Sequence, residues 1–502
     1  MFEQFEANKT GLAIACAVAT ASGLVWSLLS GPPYIHTIGG RTSPPGPKRH
    51  FILQNAKNFP TTHWYDRLAE LQKEFGDVVY FQVPGRPILV LNALEDAEEL
   101  LVKRANIWSA RPRNYMLESL MAFGWSLVLI QPGEAHNQMR TIFRKVLGQR
   151  TVTQFDTMLE EGASSFHDAL SGFSGDPEPV VSSTIGSIII RLAYGDQVHQ
   201  KHGDELVALN AGSVRMSTWA NSQLWLVNFI RPARFLPSWI PGLKFHKYAK
   251  EGKEMYDKIR YWAFGEVKQE TEKEAADLCV VTRFISNDET SNGYLRDATA
   301  LMYMGTLFET DTTAALTNFI ASMLVHPDVQ KRVQKELDEV VGKGRVPTMA
   351  DIASLEYLRA AWNETLRLFP VLIASVPHSA TQDDVWKGYF IPKNTMILPN
   401  QAFMLRDPRL WGEDAHVFDP ERFIGSRAVG HPDLETLVYG WGRRRCPGRF
   451  LAERNGLLYA AVALAAYDIV PVEGAKLPIK LEFSEDKIRR PTNLNCRFVA
   501  RH

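Results

Sequence analysis

One cysteine of the chain stands in a turn that suits a thiolate. Cys446 lies in the sequence Tyr-Gly-Trp-Gly-Arg-Arg-Arg-Cys-Pro-Gly, which spans residues 439–448. Neighbouring cations lower the pKa of a thiol, and glycines let backbone N–H groups approach a sulfur atom closely. A thiolate is a metal ligand, and on heme iron it favours O–O cleavage. We therefore interpret Cys446 as a candidate axial ligand, against the alternative of a buried structural cysteine.

The residues around Cys446 resemble the heme-binding loop of the cytochrome P450 superfamily, whose pattern is Phe-x-x-Gly-x-Arg-x-Cys-x-Gly. The chain matches this pattern at both glycines, the arginine and the cysteine, and Tyr439 replaces the phenylalanine. The resemblance covers roughly residues 44 to 500 and implies heme b as the cofactor, with Cys446 as its axial and metal ligand. The residues that it assigns to the heme loop are Tyr439, Gly440, Arg444, Cys446 and Gly448.

Three further positions match the family's partners for the heme propionates. The sequence from Gly133 to Arg140 resembles a Trp-x-x-x-Arg helix in which His136 replaces the tryptophan. Arg140 would bind a propionate by charge-assisted hydrogen bonds, and His136 would donate to the same carboxylate. His378, in Val-Pro-His, falls where the family has an arginine or histidine with this role, and Arg444 matches another propionate partner.

A set of charged residues resembles the family's structural network behind the heme loop. Glu364 and Arg367 form a Glu-x-x-Arg motif in a helical stretch, and Arg422 lies in Pro-Glu-Arg-Phe downstream. An i,i+3 pair is on its own usually a surface ion pair of little energetic consequence. The family resemblance instead implies a buried network in which a bidentate arginine fixes the Cys446 turn.

The residues that would handle protons lie in the longest helical segment of the sequence. Asp311 and Thr312 match the acid–alcohol pair of the family pattern Ala/Gly-Gly-x-Asp/Glu-Thr-Thr. Their implied task is to deliver protons during oxygen activation, which is general-acid catalysis by positioned groups. Glu309 departs from the pattern, because the family has a glycine at this position to leave room above the iron.

The zones that the resemblance assigns to the substrate are largely apolar, which favours a lipophilic small molecule. These zones are residues 113–125, 225–229, 308–312, 371–376 and 489–494.

Composition excludes several other classes of protein. The chain has 502 residues, of which 45% are hydrophobic, so it can bury a large core. Lys+Arg and Asp+Glu both number 56, and this balance gives no indication of a nucleic-acid partner. The four cysteines are scattered and form no CxxC pair, which excludes a disulfide framework or a zinc site and fits a reducing compartment.

The N-terminal region reads as a membrane anchor. Residues 11–30 carry no charge and are long enough to cross a bilayer as a helix. We predict an anchor over residues 1–30, a proline-rich linker over 31–50 and a heme-thiolate catalytic domain over 51–502. A cleaved signal peptide is the alternative, and the length of the apolar run opposes it.

The charges that flank the apolar run predict its orientation. Arg41, Lys48 and Arg49 follow it, so the positive-inside rule places the catalytic domain in the cytosol. The resemblance to microsomal members implies a single-pass protein of the endoplasmic reticulum membrane.

The expected fold is mainly α (α+β), that is, a cytochrome P450 fold with a small β-sheet region preceded by one transmembrane helix. Residues 77–83 and 87–91 predict a hairpin around Pro84-Gly85. Apolar periodicity and the absence of proline predict helices over residues 156–170, 248–273, 295–324, 328–341 and 450–468.

The resemblance implies a class II monooxygenase of fungal type that acts in secondary metabolism. Electrons would come from NADPH through cytochrome P450 reductase, with cytochrome b5 as a further candidate partner. Two alternatives stay open. With Glu309 in the oxygen groove, the protein could be a heme-thiolate isomerase or dehydratase that needs no reductase, and a non-catalytic heme-binding membrane protein is the other reading.

Overall fold

The described part of the chain is mainly helical, with three small sheets. The computed structural model describes residues 42–48, 55, 58–60, 63–83, 86–222, 226–229, 231–237, 245–273, 277–306, 312–484 and 488–501. The longer helices are Trp64–Phe75, Glu134–Leu147, Asp156–Leu170, Glu178–Tyr194, Asp196–Ser222, Phe245–Glu272, Glu289–Thr306, Thr312–Val325, Pro327–Val340, Glu356–Leu368 and Arg449–Ala466. Short helical turns connect them at Leu94–Glu98, Glu99–Lys103, Ala105–Trp108, Met116–Leu120, Val152–Phe155, Leu226–Phe229, Arg231–Phe235, Val280–Phe284, Met349–Ile352, Gln401–Met404, Pro408–Trp411, Pro420–Phe423, Gly425–Ala428, Leu434–Tyr439 and Gly442–Arg444.

The largest sheet has four strands. Val78–Val83 and Arg86–Leu91 form an antiparallel pair in which Val78 lies opposite Leu91, so the predicted hairpin is confirmed. Met396–Pro399 pairs in parallel with the second strand, and His378–Ser379 completes the sheet. A three-stranded sheet contains Ser174–Gly175, Cys496–Ala500 and Tyr467–Pro471, and a two-stranded one contains Asp384–Trp386 and Tyr389–Ile391.

The helix after the Cys446 turn forms the centre of the largest core. Most residues of Arg449–Ala466 are buried, although the helix is rich in alanine and contains one glycine. At Gly456 a neighbouring helix comes very close, because a Cβ there would lie 2.3 Å from the ring of Trp362. Close approach of neighbouring helices therefore replaces side-chain bulk in this part of the core.

The predicted helix over 156–170 has the observed bounds, those over 248–273 and 328–341 are observed as Phe245–Glu272 and Pro327–Val340, and the other two end or divide differently. The helix predicted to end at residue 468 ends at Ala466, because Tyr467 begins a strand whose partner is Ala500. The segment predicted as one helix over 295–324 is described as Glu289–Thr306 and Thr312–Val325, and residues 307–311 lie outside the described part of the chain.

The predicted anchor at residues 1–30 also lies outside the described residues, as does most of the 31–50 linker. Within the described ranges, no helix combines the length and the apolar character needed to cross a bilayer.

The described part of the linker lies against the sheet. The Tyr80 N–H donates to the carbonyl of Pro45 at 2.7 Å, and Asn55 Nδ2 donates to that of Pro47 at 2.9 Å. A Cβ on Gly46 would come within 2.0 Å of the Tyr80 carbonyl oxygen, so only glycine allows this approach. Residues 42–48 are thereby held against the catalytic domain.

Candidate active site

A cavity of about 350 Å³ brings most of the predicted site residues together. All five heme-loop residues line it, as do His136, Arg140 and His378. The helices on either side of residues 307–311 contribute to its wall through Gly305 and Thr312. Much of the remaining lining is apolar and includes Leu192, Leu301, Met302, Val371, Leu372 and Ile488.

A backbone hydrogen bond and two glycines shape the Cys446 turn. The N–H of Cys446 donates to the carbonyl of Tyr439 at 2.7 Å. Gly440 and Gly442 have φ values of 88° and 47°, in the left-handed region that favours glycine. A Cβ on Gly442 would also lie 2.4 Å from the carbonyl oxygen of Leu101. The two glycines therefore allow a turn that other residues would strain.

The other described cysteines differ from Cys446 in their surroundings. Cys279 and Cys496 are buried away from the cavity lining. Burial raises the pKa of Cys279 and raises that of Cys496 to about 12, which keeps both as neutral thiols. Among the cysteines that the structure describes, only Cys446 is placed to bind a metal inside the cavity.

One edge of the cavity is lined by arginine and histidine side chains, and no carboxylate stands among the described lining residues. Burial lowers the pKa of Arg140, and burial followed by the charge of Arg140 lowers that of Arg444 to about 10. His136 has its pKa lowered to about 4, first by burial and then by Arg444. Burial also holds the pKa of His378 well below its usual range. The lining within the described residues contains no aspartate or glutamate.

Individual hydrogen bonds show which of these donors are already used. His378 Nδ1 lies 3.0 Å from the carbonyl oxygen of Trp108, and Arg140 Nη1 donates to the carbonyl of Arg445 at 2.6 Å. His136 Nε2 is buried and has no hydrogen-bond partner among the described residues. Because a buried unpaired polar atom is costly, this nitrogen and the uncompensated cations fit a dianionic heme edge.

Arg444 makes contacts that the motif did not predict. Its Nε donates to the carbonyl of Ser109 at 2.8 Å, Nη1 to that of Leu127 at 3.2 Å and Nη2 to that of Ile130 at 2.7 Å. Each of its three nitrogens therefore makes a backbone hydrogen bond, and the guanidinium joins the Cys446 turn to residues 109–130.

Sequence reasoning missed Arg111, which also lines the cavity. Its side chain is buried, and Nη1 donates to the carbonyls of Val376 at 2.7 Å and Pro377 at 2.9 Å. Its Nε has no partner within the described chain, and burial holds its pKa well below the ordinary value. The predicted substrate zone began two residues later, and no local signal distinguishes Arg111 from Arg113.

The Glu364–Arg367 pair is buried and bidentate. Arg367 Nε and Nη2 donate to the two carboxylate oxygens of Glu364 at 2.6 and 2.7 Å, and both side chains are 0% exposed. Arg367 Nη1 also donates to the carbonyls of Leu405 and Ala415. The two charges thus neutralise each other. Arg367 also fixes residues 405 and 415, which precede the Cys446 turn in the chain.

Arg422 is a looser member of this network than the resemblance implied. Its Nε lies 3.8 Å from Glu364 Oε1, which is too far for a hydrogen bond. Its hydrogen bonds go instead to the carbonyl of Trp411 at 2.5 Å and to Asp414 Oδ1 at 3.1 Å. The backbone N–H of Asp419 takes the place near Glu364, at 2.8 Å from Oε1.

The structure places Thr312 but not its acidic partner. Thr312 is buried and begins the Thr312–Val325 helix at the wall of the cavity. Asp311 and Glu309 lie outside the described residues. The pairing of Asp311 with Thr312 therefore stays a prediction.

The predicted substrate zones contribute unequally to the lining. Residues 371–376 supply several lining residues, whereas 113–125 supplies none. This segment packs against the Phe245–Glu272 helix within the core, where Phe123 stacks on Tyr256 at 4.2 Å between ring centroids. Leu127 and Val128, just beyond it, line the cavity instead.

The mainly helical fold, the small sheets and the cysteine turn at a cavity with a cationic edge define a heme-binding oxidoreductase. The family model for cytochrome P450 matches residues 44–495. The chain is similar to the cytochrome P450 monooxygenase eriA of Hericium erinaceus, with 34% identity over 92% of this chain and 90% of the relative. It is also similar to the monooxygenase claR of Ampulloclitocybe clavipes, with 32% identity over 91% and 86%.

A third relative, the cytochrome P450 monooxygenase 226 of Postia placenta, is 30% identical over 92% of this chain and 89% of its own length. The chain belongs to the cytochrome P450 family. Its cofactor is heme, and it is a heme-thiolate monooxygenase.

Proposed function

We propose that this protein inserts one atom of O2 into a lipophilic small molecule of fungal secondary metabolism, with Cys446 as the axial ligand of the heme. The observation that carries this proposal is the single cavity that Cys446, Thr312 and an apolar wall share. The similarity to fungal monooxygenases supports the metabolic setting. Electrons come from NADPH through cytochrome P450 reductase, and cytochrome b5 is a second candidate donor.

The residues of the cavity divide the work of holding the cofactor. The sulfur of Cys446 would hold the iron, while Arg140, Arg111, His136 and His378, which line the same cavity, would hold the propionates. When bound, the heme supplies the redox chemistry that activates oxygen. Arg444 lines the same edge as a further propionate partner and also fixes the Cys446 turn to residues 109–130.

Other lining residues of the cavity serve the proton and the substrate. The hydroxyl of Thr312 donates a proton into the cavity, and Asp311 supplies that proton from the preceding residue. The apolar side chains of residues 371–376, together with Leu301 and Met302, bind the hydrocarbon part of the substrate and exclude water.

The same proposal includes the membrane. Residues 1–30 anchor the protein in the endoplasmic reticulum membrane by a single span, residues 31–50 form the linker, and 51–502 form the cytosolic catalytic domain. The uncharged run at 11–30 and the basic residues that follow it support this arrangement. The sheet contacts of residues 42–48 are compatible with a linker of fixed direction.

Expression with and without the reductase tests the activity. We expect NADPH-dependent, reductase-dependent oxygenation in a screen of lipophilic small molecules. Thr312→Ala should uncouple NADPH consumption from product and raise peroxide. Turnover without any reductase would instead favour an isomerase or dehydratase, and unchanged coupling in Thr312→Ala would remove that residue from the proton path.

A further inference from the structure

Two buried side-chain hydrogen bonds join the segment that leads into Cys446 to two other lining residues of the cavity, Ser375 and Gln401. Trp441 Nε1 donates to Ser375 Oγ at 3.2 Å, and Gln401 Nε2 donates to the carbonyl of Leu437. Trp441 is fully buried, while Gln401 and Ser375 are 1% and 7% exposed. The first bond holds the Cys446 turn itself, and the second holds the Leu434–Tyr439 helix that leads into it.

The wall that provides these contacts is itself one connected unit. The N–H of Ala402 donates to the carbonyl of Ile373 at 2.9 Å, which joins the segment of Gln401 to that of Ser375. Ser375 belongs to residues 371–376, the zone predicted to contact substrate. A shift of this wall would therefore reach the turn through Trp441.

Comparison with Trp411, another tryptophan of the same core, shows that the hydrogen bond to Ser375 is particular to Trp441. Trp411 and Trp441 belong to the same cluster of buried apolar residues, and both are 0% exposed. The indole N–H of Trp411 donates to the carbonyl of Met404 at 3.0 Å, and neither of these residues lines the cavity. Trp441 instead donates to the hydroxyl of Ser375, which does line the cavity. A buried indole N–H needs an acceptor, but any acceptor would satisfy it.

We infer that Trp441 is a positioning residue for the axial ligand. Its hydrogen bond to Ser375 fixes the turn and thereby sets the position of the Cys446 sulfur relative to the iron. Hydrogen bonding and burial around a ligating sulfur determine the absorption and the reduction potential of a heme. The inference rests on the proposed ligation by Cys446.

Four variants of the heme-loaded, full-length protein test this inference. Trp441→Phe keeps an aromatic ring but removes the donor, Ser375→Ala removes the acceptor, and the double variant removes both. Trp411→Phe is the matched control, because it removes a buried indole N–H from the same core without touching the cavity. The readouts are the absorption of the ferrous carbon monoxide form and the reduction potential from a redox titration.

In each single variant we expect more of the protein to lack thiolate ligation. The ratio of this form to the thiolate-ligated form should rise about fivefold, which corresponds to the free energy of one hydrogen bond. Both should shift the potential in one direction, and the double variant should shift it no further than the larger single variant. Trp411→Phe should match the wild type in both readouts.

Two results would overturn the inference. One is a Trp441→Phe protein that matches Trp411→Phe in absorption and potential, and the other is a double variant whose shifts add. Ser375→Ala loses only a hydroxyl, so it decides the matter if Trp441→Phe does not fold. A wild-type protein without thiolate-type absorption would overturn the Cys446 ligation itself, which distinguishes the two failures.

Discussion

Two clusters of largely buried charged residues in this protein are built in opposite ways. In the first, Glu364 and Arg367 pair inside the core and complete each other with hydrogen bonds of 2.6 and 2.7 Å. In the second, Arg111, Arg140 and Arg444 line the cavity with no carboxylate among the described lining residues. A buried charge that is internally paired supports the fold, whereas one without a counter-ion indicates a site for an anionic ligand.

The largest effect should come from breaking the paired cluster. Arg367→Ala leaves the Glu364 carboxylate buried at 0% exposure without its bidentate partner. We expect it to lower the free energy of unfolding by about 3–5 kcal/mol, because one uncompensated charge then stays in the core. Chemical denaturation of the heme-loaded protein measures this loss.

The matched control is an exposed pair with the same spacing. Arg67 and Glu70 also lie at i,i+3 and form an ion pair, but their side chains are 48% and 60% exposed. Glu70→Ala should change stability far less, because solvent screens exposed pairs. Equal losses in the two variants would contradict the distinction between the buried and the exposed pair.

Arg422→Ala should have an intermediate effect. Its Nε is 3.8 Å from Glu364, so the carboxylate keeps its two bonds to Arg367 when Arg422 is removed. The loss is then that of a few hydrogen bonds to Trp411 and Asp414, about 1–3 kcal/mol in unfolding experiments. A loss of stability as large as that of Arg367→Ala would show that the network depends on Arg422 as much as on Arg367.

The unpaired cluster should respond through the cofactor rather than through stability. Arg140→Ala removes one cation facing the proposed propionate site, so heme affinity should fall about tenfold to a hundredfold. The rate of heme transfer to an excess of an apo-heme protein measures this change. Full heme retention in the variant would refute the assignment of Arg140.

The smallest expected effect is a pH dependence that involves His136. Burial, and then the charge of Arg444, lower its pKa to about 4, so the imidazole is neutral at pH 7. A propionate raises the pKa of a neighbouring imidazole, so heme binding takes up a proton between pH 4 and the raised value. The contribution of His136 to heme affinity is therefore fully present below pH 4, and it is lost as the pH rises through the raised pKa.

His136→Phe isolates this contribution, because the variant keeps an aromatic ring and loses the titrating group. Heme loss in the wild type should accelerate from pH 5 to pH 8 more than in the variant. Identical pH profiles for the two proteins would show that His136 stays neutral in the loaded site.

The comparison also shows what the sequence could reveal. Short motifs identified Cys446, Arg140 and His378, which the structure brings to one cavity. A short motif can point to such residues because the chemistry of a turn or a helical face is local. Arg111 escaped notice because its partners, Val376 and Pro377, lie 265 and 266 residues away along the chain. Only the folded chain brings these groups together.

The differences in secondary structure have the same origin. The alanine-rich helix that follows Cys446 was predicted from propensity and observed, but its last two predicted residues were captured by a strand. Pairing of Tyr467 with Ala500 is a long-range contact that local propensity does not contain. The backbone bonds of Arg444 to residues 109–130 were likewise absent from any local pattern.

The absorption spectrum of a Cys446→Ser variant tests the central claim most directly. In the wild type, the ferrous carbon monoxide complex should show thiolate-type absorption after reconstitution with heme. The account predicts that the serine variant loses this absorption while Cys279 and Cys496 remain in place. A variant that keeps the wild-type spectrum, or a wild-type protein that stays colourless with heme, would contradict it.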